Sequence, residues 1–213
     1  MIDCPVVRTY GDRCGIARAL DLVGERWALL VVRELLLGGK RFTDLRAGLP
    51  NIGPDMLAQR LRELEGSGVV QRRKLPPPAG AQVYELTAWG RELEPVVLGL
   101  GRWGSRAPVP SADAPLGADA AMIALKTMFD PDAADGLTGR FEIRLGELSY
   151  GARVAGRRLE LTRGAPQRPA AVIDTDPATL AMVLWHGGDA ADLRVEGSRE
   201  AAKLFLTLFG RET

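Results

Sequence analysis

The sequence predicts an α+β protein made of two domains of about 100 residues each, and three observations lead to this prediction. Apolar residues follow helical spacing up to residue 68, and two short strands come next. The second half contains several short strands interspersed with helices. Between the halves, residues 107–117 are rich in proline and small residues, which is typical of a linker. We therefore predict domains over 1–106 and 118–213.

The predicted elements of the first domain follow the order of a winged helix-turn-helix. They are helices over 16–23, 27–35, 42–49 and 54–65, strands over 69–75 and 82–86, and a helix from 88 to 99 or beyond. Gly24 and Gly38 end the first two helices, and Pro54 is favoured at the first position of the fourth. The two strands form the hairpin, or wing.

The fourth helix carries the functional prediction. Leu57, Leu61 and Leu64 form one apolar stripe at helical spacing. Asp55, Gln59 and Arg62 fall on the opposite face with Ala58 beside them, and together with Pro54 at the helix start they are the residues of this helix that we predict to bind DNA. Glutamine pairs with the edge of adenine and arginine with that of guanine in the major groove. The alternative is the ordinary polar face of an amphipathic helix.

Further candidates for DNA contact flank this helix. Five cations near the third helix and on the first wing strand are predicted to bind phosphates, which position a protein on DNA without specifying sequence. One hydroxyl near the third helix is a further candidate for DNA contact. These candidates are Lys40, Arg41, Thr43, Arg72, Arg73 and Lys74. The alternative for the wing is a solvated strand edge, where such cations deter aggregation.

Charge and composition narrow the function classes. Residues 1–107 contain 16 Lys+Arg and 12 Asp+Glu, whereas residues 108–213 contain 12 and 15. The first half therefore suits a polyanion, and the second would be repelled by one. With two cysteines and one histidine we expect no disulfide framework, metal or cofactor. The chain has no apolar run of 18 residues and no signal-peptide core, so we expect a cytoplasmic protein without a membrane partner.

Short motifs recur along the first domain in a characteristic order. They are CP at 4–5, ALDLVG at 19–24, WALL at 27–30, RELLLG at 33–38, RFTDLR at 41–46, LAQRLREL at 57–64, GV at 68–69 and YELT at 84–87. In these motifs the chain resembles the HxlR-type, MarR-like family of bacterial winged-helix transcription regulators. The resemblance implies a homodimer whose first and last helices pair. It also implies a double-stranded DNA operator, with two recognition helices in successive major grooves.

Cys4 lies at a position that some members of this family use to sense oxidants or electrophiles. The resemblance therefore makes Cys4 a candidate redox site. The alternative is a small buried side chain near the dimer interface, and the residues alone leave both open.

The second domain is predicted to be a mainly antiparallel sheet covered by helices, an α/β layer, because its strands follow one another through short turns. The segments AVIDTDPATL at 171–180 and LRVEGS at 193–198, followed by a phenylalanine-containing terminal helix, resemble the sterol-carrier-protein type-two-like fold. That resemblance implies an apolar tunnel for a small molecule. Its candidate lining is Met122, Met128, Phe129, Tyr150, Met182, Trp185, Phe205 and Phe209. The alternative is that these are ordinary core residues.

Together these features predict a dimeric, sequence-specific DNA-binding transcription regulator that a hydrophobic small-molecule effector modulates. The sequence contains no nucleophile elbow, and His186 is the sole histidine, so no enzyme activity is expected. Three alternatives stay open: a lipid or small-molecule carrier whose winged half only dimerises, a redox regulator acting through Cys4, and a second domain that merely enlarges the dimer interface.

Overall fold

A computed structural model of the chain describes residues 9–77, 80–108 and 114–210. Their contacts divide the chain into two compact units, one ending at Leu93 and the other beginning at Glu94. Each unit buries a hydrophobic core of its own. The domain bounds 1–106 and 118–213, with a linker over 107–117, stay a prediction.

The first unit has the predicted order of elements, that of a winged helix-turn-helix. Its helices and strands are α1 Gly15–Val23, α2 Ala28–Leu35, α3 Phe42–Gly48, α4 Pro54–Gly66, β1 Val70–Lys74, β2 Gln82–Leu86 and α5 Ala88–Arg91. The strands β1 and β2 pair antiparallel and form the wing. An isolated bridge between Lys40 and Tyr84 ties the segment before α3 to the wing.

Three leucines of α4 fix this helix on the core of the first unit. Leu57, Leu61 and Leu64 are each at most 1% exposed, as their spacing predicts. Burying one leucine side chain contributes roughly 1.5–3 kcal/mol to folding. The stripe therefore determines which face of α4 points away from the core.

The second unit begins with a helix that the sequence predicts to be part of a longer helix. Its elements are α6 Glu94–Gly104, α7 Ala118–Met128, β3 Gly139–Leu145, β4 Leu148–Ala155, β5 Arg158–Arg163, β6 Ala171–Thr175, α8 Pro177–Trp185, β7 Arg194–Gly197 and α9 Arg199–Leu206. The continuous helix expected from residue 88 is instead split into α5 and α6. Pro95 explains the break, because it has no N–H for the carbonyl of Arg91.

The five strands of the second unit form a mixed sheet in the order β5-β4-β3-β6-β7. The prediction of a mainly antiparallel sheet is therefore wrong: β3 and β6 run parallel, with Ile143 opposite Ile173. After β5 the chain does not turn back beside that strand. Residues 164–170, here called the crossover segment, return it to the far side of β3, so β6 starts at the same end as β3.

The two faces of this sheet differ in composition. Phe141, Ile143 and Leu145 of β3 are buried, whereas Arg140 of the same strand is exposed. Alternation along the strands places Arg140 on the opposite face, here called the outer face. On the buried side the Phe141 and Phe205 rings stack with centroids 4.3 Å apart, so α9 covers that face.

Candidate nucleic-acid interface

The face of α4 opposite its leucine stripe is accessible along the helix. Asp55, Gln59 and Arg62 lie there and are exposed, with the half-buried Ala58 beside them, and Pro54 is exposed at the first position of the helix. The helix starts at Gly53, whose carbonyl accepts the Leu57 N–H at 3.0 Å. Asp55 in the first turn complements the positive end of the helix dipole. The arrangement can present one amide and one guanidinium side chain to a groove of DNA.

Two acidic residues bind basic and amide side chains of α4. Gln59 Nε2 donates to Glu63 Oε1 at 3.0 Å, one turn further along the helix. Arg60 is buried and forms ion pairs with Glu63 and Glu25. The sequence alone does not predict these two ion pairs. Gln59 must therefore give up its bond to Glu63 before its amide can pair with a base edge.

Lys40 requires a correction. The sequence predicted that it binds phosphate, but it is only 8% exposed and its ammonium forms an ion pair with Glu34 inside the unit. Glu34 is 1% exposed and also accepts from Arg33 at 2.9 Å. Gly48 packs against this cluster, since a Cβ there would lie 2.2 Å from Glu34 Oε2. Lys40 thus neutralises a buried carboxylate rather than pointing to solvent. The one signal in the sequence is Glu34 itself, a lone acid among the apolar residues of α2.

The other predicted cation near α3 remains at the surface. The Arg41 guanidinium donates to both carboxylate oxygens of Asp44, at 2.9 and 3.1 Å. This pairing lowers the pKa of Asp44 and raises that of Arg41. Thr43 is exposed beside them and donates to Asp44 at 3.4 Å. Arg41 and Thr43 are therefore accessible at the start of α3.

Both wing arginines are exposed, and each is bound to a glutamate. Arg72 donates to Glu65 at 2.8 Å and lies 5.3 Å from the centre of the Tyr84 ring. Arg73 donates to Glu85 at 2.7 Å. Hydrogen bonds from Arg73 and from Gln71 lower the pKa of Glu85. Lys74 is exposed at the end of β1. A DNA phosphate would therefore replace a carboxylate at two of these three cations.

The residues predicted to line an apolar tunnel lie mostly within the core of the second unit. Met122, Tyr150, Phe205 and Phe209 are buried, Met128, Phe129 and Trp185 are half-buried, and Met182 is 49% exposed. They contact one another: the Phe205 and Phe209 rings are 4.9 Å apart, and Trp185 Nε1 donates to the Phe209 carbonyl at 3.0 Å. These contacts are those of a packed core, and the tunnel stays a prediction.

The buried polar cluster of the second unit also has a structural explanation. Asp119 in the first turn of α7 accepts from Tyr150 Oη at 2.9 Å and from Arg163 at 2.8 Å. These bonds tie α7 to β4 and β5. Cys4 lies outside the described residues, and Cys14 is exposed before α1. Within the described ranges, no cluster of three potential metal ligands occurs and no helix is long and apolar enough to span a membrane.

Comparison with known proteins places the first half of the chain. Residues 22–111 match the family model described as HxlR-like helix-turn-helix. The HTH-type transcriptional regulator YvaP of Bacillus subtilis is 37% identical over 94 residues, which cover 44% of this chain and 87% of that protein. YdeP of the same organism is 38% identical over 98 residues, covering 45% of this chain and 74% of that protein.

Among solved structures, the redox regulator HypR in its oxidised form shares 35% identity with this chain. The alignment covers 45% of this chain and 99% of HypR, with a TM-score of 0.42. The family model matches within the first half of the chain, and the chain covers most of the length of a relative that is 37% identical to it. Through its N-terminal half, the chain belongs to the HxlR-like helix-turn-helix family.

Proposed function

We propose that the protein is a dimeric, sequence-specific DNA-binding transcription regulator. The observation that carries the proposal is the orientation of α4, with three buried leucines behind it and Gln59 and Arg62 exposed in front. Family membership supports the same function, because YvaP and YdeP are named HTH-type transcriptional regulators. We infer that α4 is the helix that enters the major groove.

In this proposal the side chains of the first unit divide into two roles. Arg62 binds the O6 and N7 atoms of a guanine, and Gln59 binds an adenine after leaving Glu63. Arg41, Arg72, Arg73 and Lys74 bind phosphates and hold the register on the duplex. Base contacts provide specificity, whereas phosphate contacts provide most of the affinity and its dependence on salt.

Exposed apolar stripes on α1 and α6 support a dimer. On α6, Val96, Leu100 and Trp103 follow helical spacing, and Trp103 is 73% exposed. On α1, Ile16 and Leu20 are 72% and 43% exposed. Contiguous apolar surface of this kind marks interaction sites. Pairing of the first and last helices, as the family resemblance implies, would cover both stripes. Dimeric helix-turn-helix proteins contact half-sites about 34 Å apart.

Contacts between α6 and α7 suggest how a small molecule would act on the dimer. Glu94 forms an ion pair with Lys126, and Arg102 donates to the Thr127 carbonyl at 3.0 Å. The helix with the exposed stripe is thus joined to the core of the second unit, for which we retain the sterol-carrier-like prediction and a hydrophobic effector. A tenfold change in operator affinity requires about 1.4 kcal/mol of coupling.

The proposal is tested on the full chain with duplexes selected for binding and with a random duplex. We expect Arg62→Ala to reduce discrimination between them by about 1–3 kcal/mol, measured by fluorescence anisotropy. Arg158→Ala, which removes an exposed arginine of the second unit, is the matched control and should leave discrimination unchanged. An equal decrease in affinity for both duplexes would contradict base contact by Arg62.

The dependence of DNA affinity on salt concentration distinguishes this proposal from the carrier alternative. If a dimer contacts about eight phosphates, the slope of log affinity against log salt should be about −7. Sedimentation equilibrium of the same protein samples measures whether the chain is a dimer in solution. Absence of salt-dependent binding to any duplex would favour a carrier whose winged half only dimerises.

A further inference from the structure

Two adjoining depressions lie on the outer face of the mixed sheet, away from the predicted apolar tunnel. Their volumes are about 330 Å³ and 310 Å³. Arg140 and Arg153 border both, and Arg168 borders the larger. A volume of this size is at the lower end of the range for small-molecule pockets, so the depressions suit a compact ligand.

The strand register accounts for the charge of this site. Arg140 of β3 lies directly opposite Arg153 of β4, which in turn lies opposite Glu160 of β5. Like charges opposite one another destabilise a sheet. One carboxylate serves this row of two arginines, because Glu160 pairs with Arg153 at 3.0 Å. The row therefore carries a net positive charge.

The nearest other acid on this face is already bound elsewhere. Glu142, two residues along β3, accepts from Arg144 at 2.8 Å and from Ser149 at 2.9 Å. Within the described part of the chain, no carboxylate pairs with Arg140 or Arg168. Two guanidinium groups at the depressions are thus available to an oxyanion.

The crossover segment supplies the third arginine and one wall. It is held at both ends, since Gly164 N–H donates to the Ser149 carbonyl at 2.8 Å and Ala170 N–H donates to the Arg140 carbonyl at 2.7 Å. Arg168 has a φ of +51°, a left-handed conformation that non-glycine residues seldom adopt. The fold thus maintains a cationic side chain beside Arg140 in spite of an unfavourable backbone conformation.

The floor of the second depression depends on a glycine. A Cβ at Gly151 would lie 2.8 Å from Thr162 Oγ1 and 3.4 Å from Pro166 Cβ. A side chain at Gly151 would therefore crowd the Thr162 hydroxyl and fill space beside the crossover segment. The other lining groups include the apolar Ala152, Pro166 and Ala170, and Glu160, Thr162 and Gln167 also border the second depression. Carbon surface next to guanidinium groups fits a ligand with an apolar body and an anionic group.

We propose that this outer-face site binds a small organic molecule bearing a carboxylate or phosphate group, held by Arg140, Arg153 and Arg168. Guanidinium groups bind such oxyanions through paired, charge-assisted hydrogen bonds. A nucleic acid is the less suitable ligand, because residues 108–213 contain 12 Lys+Arg against 15 Asp+Glu. Any regulatory role of the site rests on the proposed function, whereas binding itself does not.

The test is isothermal titration calorimetry of the full chain without DNA. Phenyl phosphate and benzoate are the two anionic probes, and benzyl alcohol is the neutral one. We expect saturable binding of at least one anion and none of the alcohol. Arg140→Gln and Arg168→Gln should each weaken binding about tenfold, a change expected for removal of one charge-assisted bond. Arg158→Gln, which changes a residue on the same sheet but outside both depressions, should bind the anions as tightly as the unmodified protein does.

Four results would overturn the proposal. They are no saturable binding of either anion, binding of benzyl alcohol as tight as that of the anions, an equal decrease in affinity in Arg158→Gln, and inorganic phosphate binding as tightly as phenyl phosphate. The last would leave no role for an organic body. Unfolding midpoints of all variants establish that they fold. Because DNA is absent, failure of this proposal and failure of DNA binding are separate outcomes.

Discussion

The wing and the outer face of the second sheet both present arginines from strands, but they neutralise them differently. On the wing, Arg72 and Arg73 are each bound by one glutamate. On the outer face, Arg140 and Arg153 lie opposite one another and share a row with one carboxylate. Paired, exposed cations suit exchange with phosphates along a duplex, whereas closely spaced cations beside a depression suit one compact anion.

A buried cation in the first unit provides a third environment for this comparison. Lys40 is buried and bound to Glu34, a carboxylate that Arg33 also binds, so it contributes to the fold of the unit rather than to its surface. The three environments differ in the number of carboxylates per cation and in access to water. They predict three classes of effect, which decrease in size from the buried pair to the exposed sheet.

The largest effect is expected at the buried pair. Glu34→Ala leaves the Lys40 ammonium buried without its carboxylate, and removal of one partner of such a pair typically costs about 3–5 kcal/mol. The free energy of unfolding is measured by urea denaturation. The double variant Glu34→Ala, Lys40→Met should recover much of this stability, because it removes the stranded charge. A single variant as stable as the parent would show that Lys40 reaches solvent, and would restore it as a candidate for phosphate contact.

A smaller effect is expected on the wing. Arg73→Ala should weaken binding to selected and random duplexes alike, and should make the salt slope shallower by about 1 for each phosphate that is no longer neutralised. Glu85→Gln should act in the opposite direction, because it frees Arg73 and removes a negative charge near the phosphates. Both variants are compared in the same anisotropy titrations. If Glu85→Gln weakens binding as much as Arg73→Ala does, the ion pair itself, rather than the free guanidinium, is what the wing requires.

These cases show which features a sequence can predict. The face of α4 follows from the spacing of Leu57, Leu61 and Leu64, a local property of the helix, so the sequence alone predicts it. The burial of Lys40 depends on Glu34, six residues away, and on contact with Gly48 of α3. The position of β6 depends on non-local pairing with β3, so the mixed sheet was missed. The Arg140–Arg153 pair was missed for the same reason, because only strand register places the two residues opposite one another.

The smallest effect concerns the neighbour of the proposed anion site. Hydrogen bonds from Arg144 and Ser149 hold the pKa of Glu142 below its ordinary value of 4.5. A carboxyl with a depressed pKa stabilises the fold at pH values above its unfolded pKa, and this contribution is lost as the pH falls through the folded pKa. Glu142→Gln should therefore lower the free energy of unfolding at pH 7 by less than about 1 kcal/mol, given the partly exposed partner. The difference from the parent should shrink as the pH falls below 4.5 and through the lowered pKa of Glu142.

The same variant sharpens the contrast between the wing and the sheet. If Glu142 is committed to Arg144, its replacement should leave the affinity of phenyl phosphate unchanged, because Glu160 is the carboxylate that pairs with this row of arginines. An affinity that rises about tenfold would mean that Glu142 partly neutralises Arg140 in solution. The outer face would then resemble the wing more closely, because Arg140 as well as Arg153 would be bound to an acid. A dedicated anion site requires that the two surfaces differ in this respect, and calorimetry at pH 7 measures the difference directly.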